Sequence, residues 1–526
     1  MILVDANKYI FNKTRIGYII FYLLLVFLLY ISCLSATNNL FVFTLDDPYI
    51  HLAVAENIVR GVYGINMQEF SSPSSSILFP YLLAGLLKLN FSGNAAAFLL
   101  NIIPSVASVK LLIDFYANRL VKFHPIFQKL FPLGTLLLIL SINAIALPFT
   151  GMEHSLHVFV TITFFIALIN FIESKKISPI FYISLVLLPL IRFEGFALLC
   201  LGLLALLYEK RFQAFAIVLL IVSAIILSYF YYMHSLGLPL LPSSVLVKSE
   251  TSASLVGRHW SASLPFMIKQ FFNQAISLRK GGIVFSIMAL LCLYHIIKDV
   301  INKKVTTSTK IAFLCGASLF AHLLLGQFGM FFRYEVYAVA IIVLSLPILL
   351  ENNTLAFKCT VLLLILGSYS ARYLFAIKKS PPASKNIYEQ QVQMHFFATK
   401  YFPYNVAVND LGLVSYKNDN YVLDLWGLGS EQVRKLKQNN SFNKAAVNKL
   451  ALEKNVAFAM VYDIWFENTI PNEWLLAGQL ITSKAVTPSG IVSFYLIDTS
   501  KKQAFKNSLI QFQSTLPKGA SLSIKY

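Results

Sequence analysis

Long apolar runs alternate with short polar segments over the first 378 residues of the chain, and this pattern stops after Lys378. A helix of about 20 apolar residues is needed to cross a ~30 Å hydrocarbon core, and several of the runs reach that length. The pattern therefore predicts a polytopic α-helical membrane protein. The apolar runs lie near 16–35, 76–90, 95–117, 131–149, 155–172, 178–191, 196–208, 212–232, 282–298, 310–328, 334–350 and 355–375.

Basic residues between the runs predict the topology, because short cytoplasmic loops carry an excess of Lys and Arg. Lys8, Lys13 and Arg15 precede the first run and place the N-terminus in the cytoplasm. The later basic clusters are also cytoplasmic if the short run 76–90 lies at the interface and about eleven other runs cross. The first run is too long for a signal peptide and lacks a small-residue cleavage site, so it is expected to be an anchor.

The C-terminal region after residue 378 has a mixed, polar composition without a spanning run. It contains β-rich stretches and a helical stretch, so residues 379–526 are expected to form a small α/β domain on the outer side. Residues 1–378 are expected to form the transmembrane domain, with a first outer loop at 36–75. The β-rich stretches are 405–408, 421–425, 456–462 and 491–497, and the helical stretch is 441–454.

Composition agrees with a membrane protein. Hydrophobic residues make up 57% of the chain and charged residues 13%, whereas soluble domains carry about 25% charged residues. The net charge of +19 falls mostly in short loops and favours contact with the bilayer over nucleic acid, which is not expected as a partner. The five cysteines lie in apolar runs, without metal-ligand spacing, so no disulfide is expected.

Asp46 and Asp47 are the first candidates for chemistry, because they lie in the polar loop just after the first apolar run. Carboxylates near a bilayer are costly to desolvate, and adjacent ones repel, so one of the pair has the features of a general base. They can also share a divalent cation such as Mg or Mn. A structural alternative is helix capping by Asp47 before Pro48. Both roles can hold, with Asp47 capping and Asp46 free or the reverse. His51 lies four residues after Asp47, near the pair if a helix begins here.

Several charged residues fall in other segments expected on the same outer side. Arg192 and Glu194 interrupt an apolar hairpin, where an arginine must pair with a carboxylate, a carbonyl or a bound anion. Recognition of a lipid phosphate and a structural Arg192–Glu194 contact are both open. Lys248 and Arg333 can extend the phosphate site or can be ordinary interfacial cations. Glu153 and His154 are expected to contact substrate or to pack at the interface.

Five motifs follow one another along the chain. They are Asp46-Asp47-Pro48-Tyr49-Ile50, Gly151-Met152-Glu153-His154, Arg192-Phe193-Glu194-Gly195, Pro242-Ser243-Ser244-Val245-Leu246-Val247-Lys248, and Val408-Asn409-Asp410-Leu411-Gly412 with the following Val422-Leu423-Asp424-Leu425-Trp426-Gly427-Leu428. In this order they resemble motifs of the GT-C glycosyltransferases, in particular the bacterial branch with arabinofuranosyl- and mannosyltransferases that use polyprenyl-phosphate sugars. The resemblance covers most of the chain and is specific for the superfamily, not for the sugar. Phe193 stands where that family usually has proline.

The resemblance implies an inverting glycosyltransferase of the bacterial inner membrane that works on the periplasmic side. Asp46 would act as the base, and Asp47 would assist through a hydrogen bond or a metal contact. The donor would be a polyprenyl-phosphate sugar, and the acceptor a glycan, lipid or protein hydroxyl. No cofactor is required, and a divalent cation is optional. The residues implied in substrate binding are His51, Glu153, His154, Arg192, Glu194, Lys248 and Arg333.

Two other classes of function are compatible with the sequence. A flippase or transporter of lipid-linked sugars would place polar residues along a path inside the spans. A non-catalytic envelope scaffold would use Asp46 and Asp47 only to cap a helix. The clustering of polar motifs in segments expected on one side favours the glycosyltransferase.

Overall fold

The structure is a computed structural model that describes residues 2–120, 125–248, 260–278 and 280–525. The chain divides into two compact units. Unit 1 comprises residues 1–31, 98–227 and 257–378, and unit 2 comprises residues 32–97, 228–256 and 379–526. Unit 2 thus joins the first polar loop to the C-terminal residues, although the sequence assigned that loop to the transmembrane part. The predicted domains 1–378 and 379–526 stay predictions.

The described part of the chain is mainly helical, as the apolar runs predicted. In chain order the helices up to the C-terminal region are α1 (Ile2–Ala36), α2 (Asp47–Val59), α3 (Phe79–Lys88), α4 (Gly93–Leu120), α5 (Pro125–Lys129), α6 (Phe131–Ser141), a 3-10 turn (Leu147–Thr150), α7 (His154–Ser174), α8 (Pro179–Ile191), α9 (Gly195–Tyr208), α10 (Phe212–Ser235), α11 (Ser243–Lys248), α12 (Trp260–Ala275), α13 (Gly282–Ile301), α14 (Thr307–Leu325), α15 (Val336–Leu349) and α16 (Leu355–Glu389).

Seven helical segments among the described residues are long and apolar enough to cross a membrane. They are Arg15–Ala36, Gly93–Arg119, His154–Ser174, Phe212–Ser235, Gly282–Ile301, Thr307–Leu325 and Leu355–Tyr401. The predicted runs 131–149, 178–191, 196–208 and 334–350 form shorter helices, α6, α8, α9 and α15, so the count of eleven spans stays a prediction. The run 76–90 forms α3, which has only 10 residues, in keeping with a segment that does not cross.

Helix α15 lies in the core of unit 1. All 14 of its residues are buried, and it packs against α7 and α14 of the same unit. Its sequence is apolar on every side, which is the pattern of a helix that is surrounded by protein. The charged segment that precedes α15 and the one that precedes α7 are therefore anchored to the same core helix pair.

The C-terminal residues form a sheet flanked by helices, as the β-rich stretches and the helical stretch predicted. The elements are α17 (Gln391–Phe396), a π-helical turn (Phe397–Tyr401), β1 (Val406–Val408), α18 (Gly412–Ser415), β2 (Val422–Asp424), α19 (Glu431–Gln438), α20 (Lys444–Glu453), β3 (Phe458–Val461), α21 (Asp463–Phe466), β4 (Leu475–Thr482), β5 (Ile491–Leu496), a 3-10 turn (Thr499–Lys501), α22 (Lys502–Gln513) and β6 (Ala520–Ile524). The strand order is β2-β1-β3-β5-β4-β6.

The sheet combines two kinds of pairing. Strands β2, β1 and β3 are parallel, whereas β3–β5, β5–β4 and β4–β6 are antiparallel. The four predicted strands and the predicted helix 441–454 are all present, close to the expected bounds. The sequence missed β4, whose pairing with β5 shifts in register between Leu476 and Gly478, and the short strand β6.

The first polar loop docks onto this α/β region within unit 2. Asn66, which is 4% exposed, donates from Nδ2 to the Val422 carbonyl at 3.0 Å and accepts from the Val422 N–H at 2.9 Å. Its side chain thereby completes the open edge of β2, the outermost strand. Helix α2 packs against α18 of the same unit. These contacts fix the Asp46 segment against the loop that follows β1.

Candidate functional site

Asp46 is held by the C-terminal part of unit 2. Its Oδ2 accepts the Gly412 N–H at 2.7 Å, and its Oδ1 accepts the Leu413 N–H at 2.8 Å. Asp46, not Asp47, occupies the N-cap position of α2, and its carboxylate makes no capping hydrogen bond there. A carboxylate has about four acceptor positions, so the two N–H groups leave about two of them for a proton or a ligand.

Asp410 supplies a second carboxylate beside Asp46. It lies two residues after β1, and its Oδ2 accepts from the Tyr462 hydroxyl at 2.6 Å and from Gln391 Nε2 at 2.9 Å. Tyr462 and Gln391 are both buried, so the position of Asp410 is fixed by groups that cannot easily move. Sequence reasoning assigned no role to Asp410. The available signal was its place just after a parallel strand, where α/β sheets position functional side chains.

The surroundings of Asp46 favour its protonated form. Burial raises the pKa of Asp46, and the negative charge of Asp410 raises it further, while the N–H groups of Leu413 and Gly412 partly offset this increase. The net result is a pKa well above the ordinary value for an aspartate. A carboxylate with a raised pKa binds a proton strongly, which is the property required of a general base near neutral pH.

A close backbone approach at Gly412 places this carboxylate. A Cβ at position 412 would lie 2.2 Å from the backbone oxygen of Asp46 and 2.6 Å from its Oδ2, so only glycine fits. We expect Gly412→Ala to destabilise the protein by about 1–3 kcal/mol through overpacking. The measurement is the free energy of unfolding from a denaturant titration.

The matched control is Gly367→Ala, where the nearest atom to an added Cβ is 3.8 Å away. Because Gly367 lies inside helix α16, alanine there should leave stability unchanged or raise it slightly. Equal stability of the Gly412→Ala variant and the wild type would contradict the close packing of Asp46 on α18.

A separate cluster of charged residues lies in unit 1 around Arg192, which is 7% exposed. Arg192 forms a short ion pair with Glu153 through Nη1 and two hydrogen bonds with Glu194, at 3.1 Å from Nε and 2.7 Å from Nη2. Burial by itself raises the pKa of Glu194, but the facing guanidinium more than offsets this and lowers the pKa to about 2. The structural Arg192–Glu194 contact considered from the sequence is therefore present, and Glu153 joins it.

The ring of Tyr334 lies among the candidate site residues of unit 1 that the sequence predicted. Its ring lies 5.4 Å from the Arg192 guanidinium carbon, 5.1 Å from that of Arg333, and 5.5 Å from the centre of the His154 imidazole. Arg333 is 2% exposed. Glu153, His154, Arg192, Glu194 and Arg333 thus form one group in unit 1.

The segment before Arg333 has an unusual backbone. Met330, Phe331 and Phe332 have φ angles of 42°, 63° and 58°, in the left-handed region. Such a conformation costs about 1–2 kcal/mol per residue, so surrounding contacts must hold it. The Phe332 carbonyl accepts from Asn143 Nδ2 at 2.9 Å, and the Gly329 N–H donates to Glu335 at 2.9 Å. Strain of this kind is concentrated at functional sites, which marks the segment for mutagenesis.

Two predicted site residues lie elsewhere in unit 2. His51 is buried in α2, where its Nδ1 lies 3.1 Å from Ser74 Oγ and its Nε2 lies 3.4 Å from Ser75 Oγ. Lys248 ends α11, and its side chain lies outside the described residues. The start of α11 is fixed by a hydrogen bond from the Ser243 N–H to the Ser72 carbonyl at 2.9 Å.

Among the described residues, no three His, Cys, Asp or Glu side chains lie close enough together to hold a metal ion. Mg²⁺ is often held by only one or two carboxylates together with water and substrate phosphate. Asp46 retains acceptor positions for such a contact. A divalent cation at Asp46 and Asp47 accordingly stays a prediction.

Comparisons with known proteins identify similarities of limited extent. A family model described as a domain of unknown function, DUF8728, matches residues 385–498. A search of curated protein sequences finds no match. Among solved structures, the crystal structure of the Archaeoglobus fulgidus oligosaccharyltransferase in complex with zinc and sulfate aligns with a TM-score of 0.48 and 14% identity, over 91% of this chain and 72% of that chain. The reaction and the substrate therefore rest on the geometry of the site.

Proposed function

We propose that the protein is an inverting membrane glycosyltransferase of the GT-C type, with a polyprenyl-phosphate sugar as donor and an acceptor hydroxyl as nucleophile. The observation that carries the proposal is the setting of Asp46. It is a carboxylate with a raised pKa, oriented by two backbone N–H groups and placed beside Asp410. This setting supplies a general base in the segment where the family resemblance expects one.

In the proposed reaction, Asp46 takes the proton of the acceptor hydroxyl. The resulting oxygen attacks the anomeric carbon of the donor from the side opposite the phosphate, which inverts that carbon. The bond from the carbon to the phosphate oxygen breaks, and polyprenyl phosphate leaves with the electron pair. Asp47 is proposed to assist by a hydrogen bond.

Cationic side chains are proposed to offset the charge that develops on the leaving phosphate. Arg192, Lys248 and Arg333 are the candidates, but they are not equivalent. The charge of Arg192 is already balanced by Glu153 and Glu194, so its first role is to hold that group together. Arg333 and Lys248 stay candidates for direct contact with phosphate. His51, Glu153, His154 and Glu194 stay proposed substrate contacts.

The proposed location is the bacterial inner membrane, with the C-terminal domain in the periplasm. The seven helices of spanning length support a multi-pass protein. The assignment of the C-terminal domain to the periplasmic side rests on the basic residues at the N-terminus. The acceptor is proposed to be a glycan, a lipid or a protein hydroxyl.

Substitution of Asp410 should change the pH dependence of transfer. Because Asp46 must be ionised to accept a proton, the rate falls as the pH falls through its raised pKa. Asp410→Asn removes a neighbouring negative charge and so lowers the pKa of Asp46. The acid limb of the pH–rate profile is expected to move to lower pH by about one unit or more. The control is Asp419→Asn, at a side chain that is 90% exposed. If the acid limb of the pH–rate profile does not move, Asp410 does not raise the pKa of Asp46.

The donor class is tested by purifying the protein and identifying the bound lipid by mass spectrometry. A polyprenyl-phosphate pentose or hexose is the expected result. The identified lipid then serves as donor in a transfer assay with the same preparation. Recovery of phospholipid alone, together with no transfer from added polyprenyl-phosphate sugars, would overturn the proposal.

A flippase for lipid-linked sugars is the second candidate, because unit 1 contains buried polar side chains within apolar helices. His157 in α7 and His322 in α14 are 1% and 2% exposed, and both lie beside Tyr337. Buried polar groups of this kind favour a transport path. In vesicles, a flippase would move a fluorescent polyprenyl-phosphate sugar between leaflets without any acceptor. A glycosyltransferase would consume the donor only when an acceptor is added.

A further inference from the structure

The order of the parallel strands reverses at one point in unit 2. From β1 the chain continues to β2 on one side and then crosses to β3 on the other side of β1. In open α/β sheets, ligands bind outside the carboxyl ends of the strands at the point where the strand order reverses. In this sheet that point lies between the carboxyl ends of β1 and β3, which are followed by Asn409-Asp410 and by Tyr462-Asp463.

Polar side chains converge on Tyr462 at this point. Asn409 Oδ1 accepts the Tyr462 N–H at 2.7 Å, and Gln391 Nε2 lies 3.1 Å from the Tyr462 hydroxyl. Gln391 Nε2 also donates to Asp410 at 2.9 Å. At this point an amide therefore lies at each end of Tyr462, and the Asp410 carboxylate accepts from one of them.

Two polar atoms of these amides have no hydrogen-bond partner among the described residues. They are Asn409 Nδ2 and Gln391 Oε1, in side chains that are 3% and 1% exposed. The orientation of each amide is fixed by its other atom, because Asn409 Oδ1 must accept from Tyr462 and Gln391 Nε2 must donate to Asp410. A buried donor and a buried acceptor left without partners are costly, and they indicate a ligand that supplies both.

We propose that a crevice forms here, lined by Gln391, Asn409, Asp410 and Tyr462, and that it binds hydroxyl groups of an acceptor sugar next to Asp46. A sugar hydroxyl is both donor and acceptor, so neighbouring hydroxyls of one ring can satisfy Gln391 Oε1 and Asn409 Nδ2. The position fits an acceptor, because Asp46 bonds to the backbone two and three residues after Asp410. That the bound sugar is the acceptor rests on the proposed function, whereas the binding of a sugar does not.

Two half-buried tryptophans flank the crevice. The Trp465 ring lies 5.2 Å from the Tyr462 ring and 4.6 Å from the Trp426 ring, measured between centroids. Indoles present apolar surface to ligands, and they report binding nearby through their fluorescence. The chain has four tryptophans, so a Trp465→Phe variant shows whether Trp465 is the source of a change in fluorescence.

The test uses the full chain in detergent, titrated separately with methyl α-D-mannopyranoside, methyl α-D-arabinofuranoside and glycerol. We expect at least one glycoside to give a saturable change in tryptophan fluorescence that glycerol does not give. Asn409→Asp keeps the acceptor for the Tyr462 N–H and removes the unpartnered donor. Gln391→Met removes the unpartnered acceptor together with the Nε2 donor to Asp410. Each variant is expected to weaken glycoside binding by about fivefold or more.

The matched control is Gln479→Met, at a partly exposed glutamine on β4 of the same sheet, and it should bind as the wild type does. If a variant does not fold, saturation-transfer NMR on the wild-type protein replaces it, with contact at the hydroxyl-bearing ring positions as the expected result. The proposal is overturned if neither glycoside binds the folded wild type, if glycerol gives the same response, or if both variants bind with unchanged affinity.

Failure of the sugar site and failure of the proposed function would give different experimental results. Glycoside binding with full transfer by an Asp46→Asn variant would reject the catalytic role and keep the sugar site. Absence of glycoside binding with transfer that depends on Asp46 would reject the crevice and keep the glycosyltransferase.

Discussion

Replacement of Asp46 by asparagine is expected to lower the rate of sugar transfer by about 10²–10⁴-fold, the range for loss of a general base. Asparagine has nearly the same shape but cannot take a proton from the acceptor hydroxyl. Its single carbonyl oxygen can still accept from one of the two N–H groups at Gly412 and Leu413. The measurement is the initial rate with the lipid donor that copurifies, across a range of pH.

The main alternative for Asp46 is a structural role that anchors α2 to α18. Thermal unfolding of the Asp46→Asn variant separates the two, because a base can be lost without loss of the fold. Asp419→Asn serves as the matched control, since its exposed carboxylate belongs to the same unit. Full transfer by a folded Asp46→Asn variant would remove the base assignment. If that variant does not fold, the pH profile of Asp410→Asn tests the same assignment.

Replacement of Arg192 by methionine is expected to destabilise the protein by about 3–5 kcal/mol, the range for breaking a buried ion pair on one side only. Glu153, whose side chain is 0% exposed, and Glu194 would lose the guanidinium that balances their charges. The measurement is the free energy of unfolding from a denaturant titration. The control is Arg60→Met, where a half-exposed arginine pairs with Glu56 and Asp419 and the expected loss is below about 1 kcal/mol.

The pH dependence gives the Arg192 prediction a second readout. In the wild type the pKa of Glu194 is lowered to about 2, so its stabilising contribution is present above the ordinary glutamate pKa and is lost as the pH falls toward 2. In the variant Glu194 no longer faces the guanidinium that lowers its pKa, so the difference in stability between the two proteins should narrow as the pH falls. Adding Glu153→Gln should recover part of the loss. A constant difference across pH would contradict the buried ion pair.

Local patterns were sufficient for much of the secondary structure. Apolar runs predicted the helices, and apolar, β-rich stretches predicted β1, β2, β3 and β5, because each depends on residues that are neighbours in sequence. The same reasoning failed for β4, whose pairing with β5 shifts in register between Leu476 and Gly478. The sequence left open which of Asp46 and Asp47 caps α2, and the structure has Asp46 there, since a cap depends on the backbone path as well as on residue type.

The sequence by itself determined the helical character, the α/β nature of the C-terminal region and Asp46 as the residue to test. Only the tertiary structure decided the partners of that residue, since the N–H groups of Gly412 and Leu413 lie 366 and 367 residues away along the chain. It likewise joined Glu153 to Arg192, 39 residues apart, and brought Asp410 to Asp46. The physical reason is that residue type and spacing encode contacts within an element, whereas a pKa or an ion pair depends on which elements pack together.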